Sequence, residues 1–260
     1  MTLEVYTWEV NSNSGKPIIF LKEKGADFEF HYVDVLNFEQ HQAGYLQINP
    51  DGTVPTVIHD GRIMTESTQA LEYLDRVVPG PSFVPDDPLA KYRMRWWATH
   101  GVSWAASLSV LGWHSFMGPM VRRLGEEKLE ELLARIPNKQ RRIYWSTAAT
   151  STFTEDQLQN ARDGVAAGVR MMDRRLQQSP YFAGDSYSIA DIVIFANAYA
   201  LPLMHDYAAS DELTPAFMDW IRRIYRRPAV AEAFKLGRTP MRERAEAMIK
   251  RCHEEQESTA

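Results

Sequence analysis

Residues 52–67 read GTVPTVIHDGRIMTES. Two short alternating runs flank Asp60-Gly61, a pair that favours the tight turn of a β-hairpin. A proline stands where the first run begins. Proline cannot donate to a sheet ladder, so Pro55 belongs at a strand start or an edge. The Val54–Pro55 bond admits two readings. A trans bond makes an ordinary turn. A cis bond turns the chain sharply and leaves the N–H and C=O of Val54 free at the sheet edge, where an extended peptide can pair with them. The acid–hydroxyl pair Glu66-Ser67 follows, and the run STQALEYLDRVVP after it has helical spacing.

Working outward, LEVYTW at 3–8 and FEFHYVDV at 28–35 alternate and are rich in strand formers. Between them lies the polar stretch EVNSNSGK, then PIIFLKEKG, which reads as a helix with Pro17 in its first turn and Gly25 as its stop. Residues 38–48 form a short helix or an irregular segment before Asn49-Pro50. The order β-α-β-α-β-β-α matches a thioredoxin-like α/β domain with a small mixed sheet.

Pro79-Gly80-Pro81 and the prolines at 85 and 88 break this pattern. Beyond them helical spacing recurs at 89–117, 155–178, 188–206 and 214–235, with no convincing strand. The expected organisation is a thioredoxin-like domain at 1–82, a linker at 83–88, an all-helical domain at 89–240 and a tail at 241–260. An insertion at about 121–152 reads as an amphipathic helix followed by a loop from Ile136-Pro137. Tyr187-Ser188-Ile189-Ala190-Asp191-Ile192 carries a capping box, with Ser188 as N-cap, Asp191 at N3, and Tyr187 and Ile192 as the staple. The Arg222-Arg223 and Arg226-Arg227 pairs read as a solvated helix face.

The bulk numbers are those of a globular chain: 260 residues, 45% hydrophobic, net charge −5 and one cysteine, Cys252. The length suits two domains or one large one. Mixed, slightly acidic charge argues against nucleic acid as the main partner. One cysteine excludes an internal disulfide and a cysteine-rich metal site, so no metal is expected. No apolar run reaches the roughly 20 residues of a membrane span, and MTLEVYTW lacks the basic start of a signal peptide. A cytoplasmic protein is expected.

The Val54-Pro55 and Glu66-Ser67 pairs in a thioredoxin-like front half, with SIAD in a helical back half, resemble the glutathione S-transferase family over nearly the whole chain. In that family the V-P proline is cis, and the residue before it pairs with the cysteinyl part of glutathione. The E-S pair holds the γ-glutamyl end. The resemblance therefore implies glutathione as co-substrate and Val54, Pro55, Glu66 and Ser67 as its contacts. A positive helix end near Ser67 suits a carboxylate, and Glu66 can accept from an α-ammonium. Gln40 and His41 either meet the glycyl carboxylate or are exposed polar residues.

Thiol–disulfide exchangers of this fold carry a cysteine at the start of helix one, where this chain has Asn11-Ser12-Asn13-Ser14. The sulfur must then come from the bound tripeptide. A hydroxyl or amide donor beside it favours the thiolate. Ser14 is the first candidate, with Asn13 and Ser12 as alternatives; Ser14 as a plain helix cap is the competing reading. Tyr6 is a weaker candidate within strand one.

The segments NSNSGKP, FEQH, INPDGTVP, LGWHSFMGPM and ARIPNKQ, with the insertion, resemble the bacterial glutathione-dependent β-etherases, which cleave β-aryl ether bonds of lignin-derived aromatics. That resemblance implies a transferase acting in aromatic compound catabolism on a small aromatic substrate, in a homo- or heterodimer. His100, Trp104, Ser107, Leu111 and Met117, with Tyr144 and Trp145 from the insertion, are candidates for the aromatic pocket. The same spacing also suits a helix face packed in a core. His114 and His205 read as structural. Other glutathione-dependent transferase, isomerase or dehalogenase chemistry, and a non-catalytic interaction subunit, remain open.

Overall fold

The computed structural model describes residues 1–150 and 153–257, with 102, 103 and 257 in backbone only. The last two residues of the expected insertion and the last three of the expected tail lie outside the described residues.

The front half runs β1 (Leu3–Thr7), α1 (Ser12–Lys24), β2 (Glu29–Tyr32), two 3-10 turns (Val35–Asn37 and Glu39–His41), α2 (Ala43–Ile48), β3 (Thr56–His59), β4 (Arg62–Met64) and α3 (Ser67–Val77). The sheet order is β2-β1-β3-β4. β1 runs parallel to β2, which a helical crossover permits, and antiparallel to β3. The hairpin turns at Asp60-Gly61, both with positive φ. Leu3 and Val5 of β1, Ile18 to Leu21 of α1 and Leu71 and Leu74 of α3 are buried in one apolar cluster.

Helix α1 starts five residues earlier than its pattern suggests. Asn11 is the N-cap, and Pro17 lies inside the helix rather than in its first turn. The proline lacks an N–H, so the carbonyl of Asn13 loses its helical partner. Gly25 ends the helix in the left-handed region, as expected.

The back half is helical: α4 (Pro88–Gly112), a π-helical stretch (Trp113–Met117), α5 (Gly118–Arg122), α6 (Glu126–Ala134), α7 (Lys139–Thr150), α8 (Glu155–Leu176), α9 (Ile189–Ala198), α10 (Leu201–Met204), α11 (Pro215–Tyr225), α12 (Pro228–Phe234) and α13 (Pro240–Glu257). The loop expected after Ile136-Pro137 is helix α7. The run at 188–206 is two helices, the second with a proline in its first turn. The expected tail is helix α13, with ion pairs such as Arg242–Glu246 and Arg251–Glu255 at four-residue spacing. Arg222 pairs with Asp211, Arg223 donates to the Pro180 carbonyl, Arg226 to that of Cys252, and Arg227 to Glu23 of α1 at 2.8 Å. The paired arginines thus stitch elements together instead of forming a solvated face.

One core joins the halves, since residues of α1 and of α9, α11 and α12 share it. At its centre Asp191 is fully buried. Its Oδ2 accepts from the Ser188 N–H and hydroxyl, both at 2.9 Å; its Oδ1 accepts from Trp220 Nε1 at 2.9 Å and Phe182 N–H at 3.3 Å. Burial lifts this carboxyl to about 6 in spite of four donors. Helices α4 and α8 meet where α8 carries two glycines: a Cβ on Gly168 would lie 2.1 Å from the Trp104 ring, and one on Gly164 would lie 2.5 Å from the Ser107 hydroxyl. A second cluster unites Trp8, Val35 and Phe38 of the front half with Trp113, Leu129, Leu133 and Trp145. The insertion therefore packs on the segment after β2.

Candidate active site

The Val54–Pro55 bond is cis, so the ordinary-turn reading falls. Tyr45 donates to the Thr53 carbonyl at 2.6 Å, and Asn49 donates to it at 2.9 Å and to the Thr56 hydroxyl at 3.0 Å. These bonds hold the approach to the edge, while neither backbone group of Val54 makes a hydrogen bond among the described residues. Ser67, buried, is the first residue of α3; Glu66 is its exposed N-cap and makes no cap bond. Both are therefore available to a ligand at that helix end.

Gln40 and His41 are not exposed: each is 1% accessible. All four of their side-chain nitrogen and oxygen atoms lack a hydrogen-bond partner. Leaving a buried polar atom unpaired costs about 1–3 kcal/mol, so this corner fits a polar ligand group. Gly52 approaches it so closely that a Cβ would lie 2.5 Å from the His41 ring, and its φ is +58°. Burial, then the nearby Arg141 charge, lower the His41 pKa to about 4 against the opposing pull of the adjacent Gly52 backbone, so the imidazole is neutral at pH 7.

Lys16, to which sequence reasoning gave no role, lies between two of these segments. It is 1% accessible. Its Nζ donates to Asn13 Oδ1 at 2.6 Å and to the Thr68 hydroxyl at 3.1 Å, spanning the N-terminal turns of α1 and α3. Burial lowers its pKa to about 8, against the pull of Glu66, and it stays mostly charged at neutral pH. A lysine at the head of the apolar run Pro17 to Leu21 was the available signal.

The three candidates at the start of α1 differ in setting. Ser14 is 5% accessible, and its hydroxyl makes no hydrogen bond among the described residues; only its carbonyl is used, accepting from Thr7 at 3.2 Å. Asn13 is turned to Lys16. Ser12 is exposed, has φ +47°, and with Asn11 lines a cavity. Tyr6 is engaged elsewhere: its hydroxyl donates to Glu4 at 3.0 Å and its ring stacks on His31 at 4.0 Å. Burial and then Glu4 push its pKa to about 12, which disfavours a tyrosinate. There Glu4, Glu29 and His31 bring three potential ligand atoms within 4.8 Å, at a surface where Glu29 is exposed.

The cavity beside Asn11 and Ser12 has a volume of about 230 Å³. A space of ~150 Å³ holds benzene, so this one admits a substituted aromatic ring. Its walls are mostly apolar: Trp8, Leu108, Phe116, Met117 and Leu201, with Asn197 and His205 as polar groups and Met241 from α13. Of the seven aromatic-pocket candidates only Met117 lines it. Trp104 packs on Gly168 and its Nε1 donates to the Val165 carbonyl at 3.4 Å; Ser107 faces Gly164; Leu111 is in the main core. The face that meets the cavity is the next one round α4, Ala105, Leu108, Ser109 and Gly112. His100 stacks on Trp96 at 5.1 Å in a separate surface hollow with Tyr92 and Arg95. Tyr144 reaches the rim through the Ser109 hydroxyl at 2.9 Å, and Trp145 faces His41 and Phe38 instead. His205, read as structural from sequence, lines the cavity, whereas His114 is exposed.

Glu9 stands out in the sequence as a departure from the family pattern, with no role assigned to it there. It is 2% accessible and accepts from the N–H groups of Arg238 at 2.9 Å and Thr239 at 3.2 Å and from the Tyr32 hydroxyl at 2.8 Å. The Arg238 guanidinium lies 4.2 Å over the Tyr32 ring. A carboxylate two residues past β1 thus ties the end of that strand to the start of α13.

Known proteins share this fold. The family model described as "Glutathione S-transferase, N-terminal domain" matches residues 1–76, and that described as "Glutathione S-transferase, C-terminal domain" matches residues 139–228. Protein LigF of Sphingobium sp. is 34% identical over 264 residues, covering 98% of this chain and 99% of that one. A probable glutathione S-transferase of Solanum tuberosum is 26% identical, covering 77% of this chain and 75% of its own. The crystal structure of β-etherase LigF from Sphingobium sp. superposes with a TM-score of 0.83 at 33% identity, over 90% of this chain and 99% of that one. Glutathione transferase F7 of Populus trichocarpa, at 18% identity and a TM-score of 0.70, over 90% of this chain and 98% of that one, shares the fold. The free edge at Val54, the helix end at Glu66-Ser67 and these matches over both halves agree: the chain belongs to the glutathione S-transferase family.

Proposed function

We propose that this chain is a glutathione-dependent β-etherase acting on a small aromatic substrate with an α-keto β-aryl ether. The observation that carries the reading is the apolar cavity opening beside Asn11 and Ser12 at the start of α1. Its support from similarity is the match to LigF along both chains.

In this reading glutathione lies extended along the sheet edge. Val54, set by Pro55, pairs with its cysteinyl backbone. Ser67 at the α3 N-terminus takes the γ-glutamyl carboxylate, Glu66 the α-ammonium, and Gln40 and His41 the glycyl carboxylate. Ser14 donates to the sulfur, with Ser12 and Asn13 beside it, and the α1 N-terminus favours the thiolate. A C–S bond forms at the β-carbon as the ether C–O bond breaks, and the electron pair leaves on the phenolate, which takes a proton from water. The ketone beside that carbon activates it, and the cavity orients the ring. The products are a glutathione thioether and a free phenol.

The functional division follows the expected boundaries: 1–82 binds glutathione, and 89–240 with its insertion at about 121–152 shapes the aromatic side. We also assign a dimer in which the front half of one subunit packs on the helical half of the other. The exposed Ile63, Leu89, Tyr92 and Trp96 support it. Among the described residues no helix is long and apolar enough to cross a membrane, in keeping with a cytoplasmic site of action. The test is phenol release from an α-keto β-aryl ether with and without glutathione. No glutathione-dependent release, with conjugation of a general transferase substrate intact, overturns the etherase reading and leaves the family.

A further inference from the structure

The insertion does more than pack on the front half. Its helix α7 lays Trp145 edge-on against His41, ring centroids 5.6 Å apart, and against Phe38 at 5.1 Å. One turn earlier, Arg141 sits with its guanidinium carbon 5.9 Å from the centroid of the same Trp145 ring. Its Nε is buried and has no hydrogen-bond partner. Among the described residues it makes no ion pair, and the carboxylate whose charge acts on it is that of Asp51. Three neighbouring side chains from two parts of the chain, Gln40, His41 and Arg141, thus hold buried polar atoms without partners.

Such atoms are rare in folded proteins and point to a missing ligand group. Their chemistry is specific. Gln40 offers amide donors. His41, neutral at pH 7, offers one. Arg141 brings the positive charge and a planar fork suited to a carboxylate. A single positive charge among neutral donors matches a monoanion. The place along the edge is equally specific: Gly52 lies against His41, and Val54 is two residues further on. A peptide whose amino end is at Glu66-Ser67 and whose middle pairs with Val54 brings its far end to this corner.

We infer that Arg141, carried by the insertion helix, completes with Gln40 and His41 a carboxylate pocket that reads the glycyl end of glutathione. The inference rests on the glutathione-site reading above and goes beyond it. The back-half insertion, and not the thioredoxin-like half alone, then decides which thiol the protein accepts. His41 stays neutral in this corner because burial first, and then the Arg141 charge, disfavour its cation.

The experiment is calorimetric binding of glutathione and of γ-glutamylcysteine, which lacks the glycine, to wild type, Arg141→Gln and Arg141→Lys. A hydrogen-bonded charge contact corresponds to roughly 10- to 100-fold in affinity. Wild type is expected to prefer glutathione by about that factor. Arg141→Gln weakens glutathione by about the same factor and leaves γ-glutamylcysteine unchanged, so the preference collapses; Arg141→Lys keeps the charge, loses the fork and falls between. If Arg141→Gln does not fold, a selective loss of glutathione affinity in Arg141→Lys carries the same conclusion. Equal weakening of both thiols, or no discrimination by wild type, overturns the inference and makes α7 a packing element. Failure of wild type to bind either thiol overturns the glutathione-site reading itself.

Discussion

Replacing Gly168 by alanine sets two effects of opposite sign against each other. In a helix interior alanine is favoured over glycine by about 1 kcal/mol, so on propensity alone the variant is more stable. The packing says otherwise. The new Cβ would stand 2.1 Å from Trp104 Cδ1 and 2.2 Å from its Nε1. Trp104 is a large ring, 6% accessible, in the contact of α4 with α8. It can move only by displacing a helix or its own rotamer, an overpacking cost of about 1–3 kcal/mol. The long bond from its Nε1 to the Val165 carbonyl adds about 0.5 kcal/mol. The net expectation for Gly168→Ala is a loss of about 0.5–2.5 kcal/mol. Gly164, one turn earlier, is the control. There the clash is with the Ser107 hydroxyl, which can turn aside, so Gly164→Ala keeps the gain of about 1 kcal/mol. The two variants then differ by about 1.5–3.5 kcal/mol, or roughly 3–14 °C in Tm at 2–4 °C per kcal/mol. Thermal melts by circular dichroism read this directly. Trp104→Phe in the Gly168→Ala background should recover part of the loss. Because Trp104 does not line the cavity, Trp104→Phe alone should leave KM for the aromatic substrate unchanged. A Gly168→Ala protein that melts at or above wild type, or a tenfold rise in KM in Trp104→Phe, refutes this account of α4.

Ser14→Ala should lower turnover at neutral pH by roughly 10- to 100-fold, the worth of one hydrogen bond to a charged sulfur, and move the pH profile upward; an unchanged profile across pH 6–9 makes Ser14 a helix residue only. Glu66→Ala and Ser67→Ala should raise KM for glutathione more than they lower kcat, because those contacts are the same in ground and transition states; steady-state kinetics with varied glutathione decide it. Asp191→Ala leaves four buried donors without an acceptor and should lower the denaturant midpoint well before it alters KM; a midpoint equal to wild type would sink the structural role. His41 has a folded pKa near 4 against about 6.5 unfolded, so the unfolded chain binds its proton first and the stability from a neutral His41 is full above pH 6.5 and lost as pH falls toward 4. The stability difference between wild type and His41→Asn should shrink over that window, and a flat difference counts against a buried neutral imidazole.

The front half was legible because its signals are local. Alternation, the Asp60-Gly61 turn and the Gly25 stop each act over a few residues, and together they give the strand and helix order. The start of α1 was hidden because Asn, Ser and Gly favour caps and turns, and here they form the first helical turn. Helix α7 was missed because KQRRIYWSTAAT buries only Trp145, Ala148 and Ala149, a stripe too narrow to stand out in sequence. Along α4 the helical period was plain. The sequence, however, offers two adjacent apolar faces, and only the glycines of α8 decide which one is packed. Gln40 and His41 could be named as candidates, but their burial without partners is a property of the folded insertion lying across them.

Glu9 joins residues 229 positions apart in the sequence. The cavity wall beside it combines Trp8, Asn11 and Ser12 with Met241 of α13. No local folding unit carries the finished cavity: its wall exists only where the front half, the back-half helices and α13 have come together. Closing so long a loop carries an entropic cost; at its ends two N–H groups, of Arg238 and Thr239, meet the Glu9 carboxylate, beside the core that α1 shares with α9 and α12. Fraying of α13 alone would remove Met241 and the Arg238–Thr239 contacts from this wall while the shared core stays packed. Activity should fade at temperatures where the sheet and the core helices are still intact.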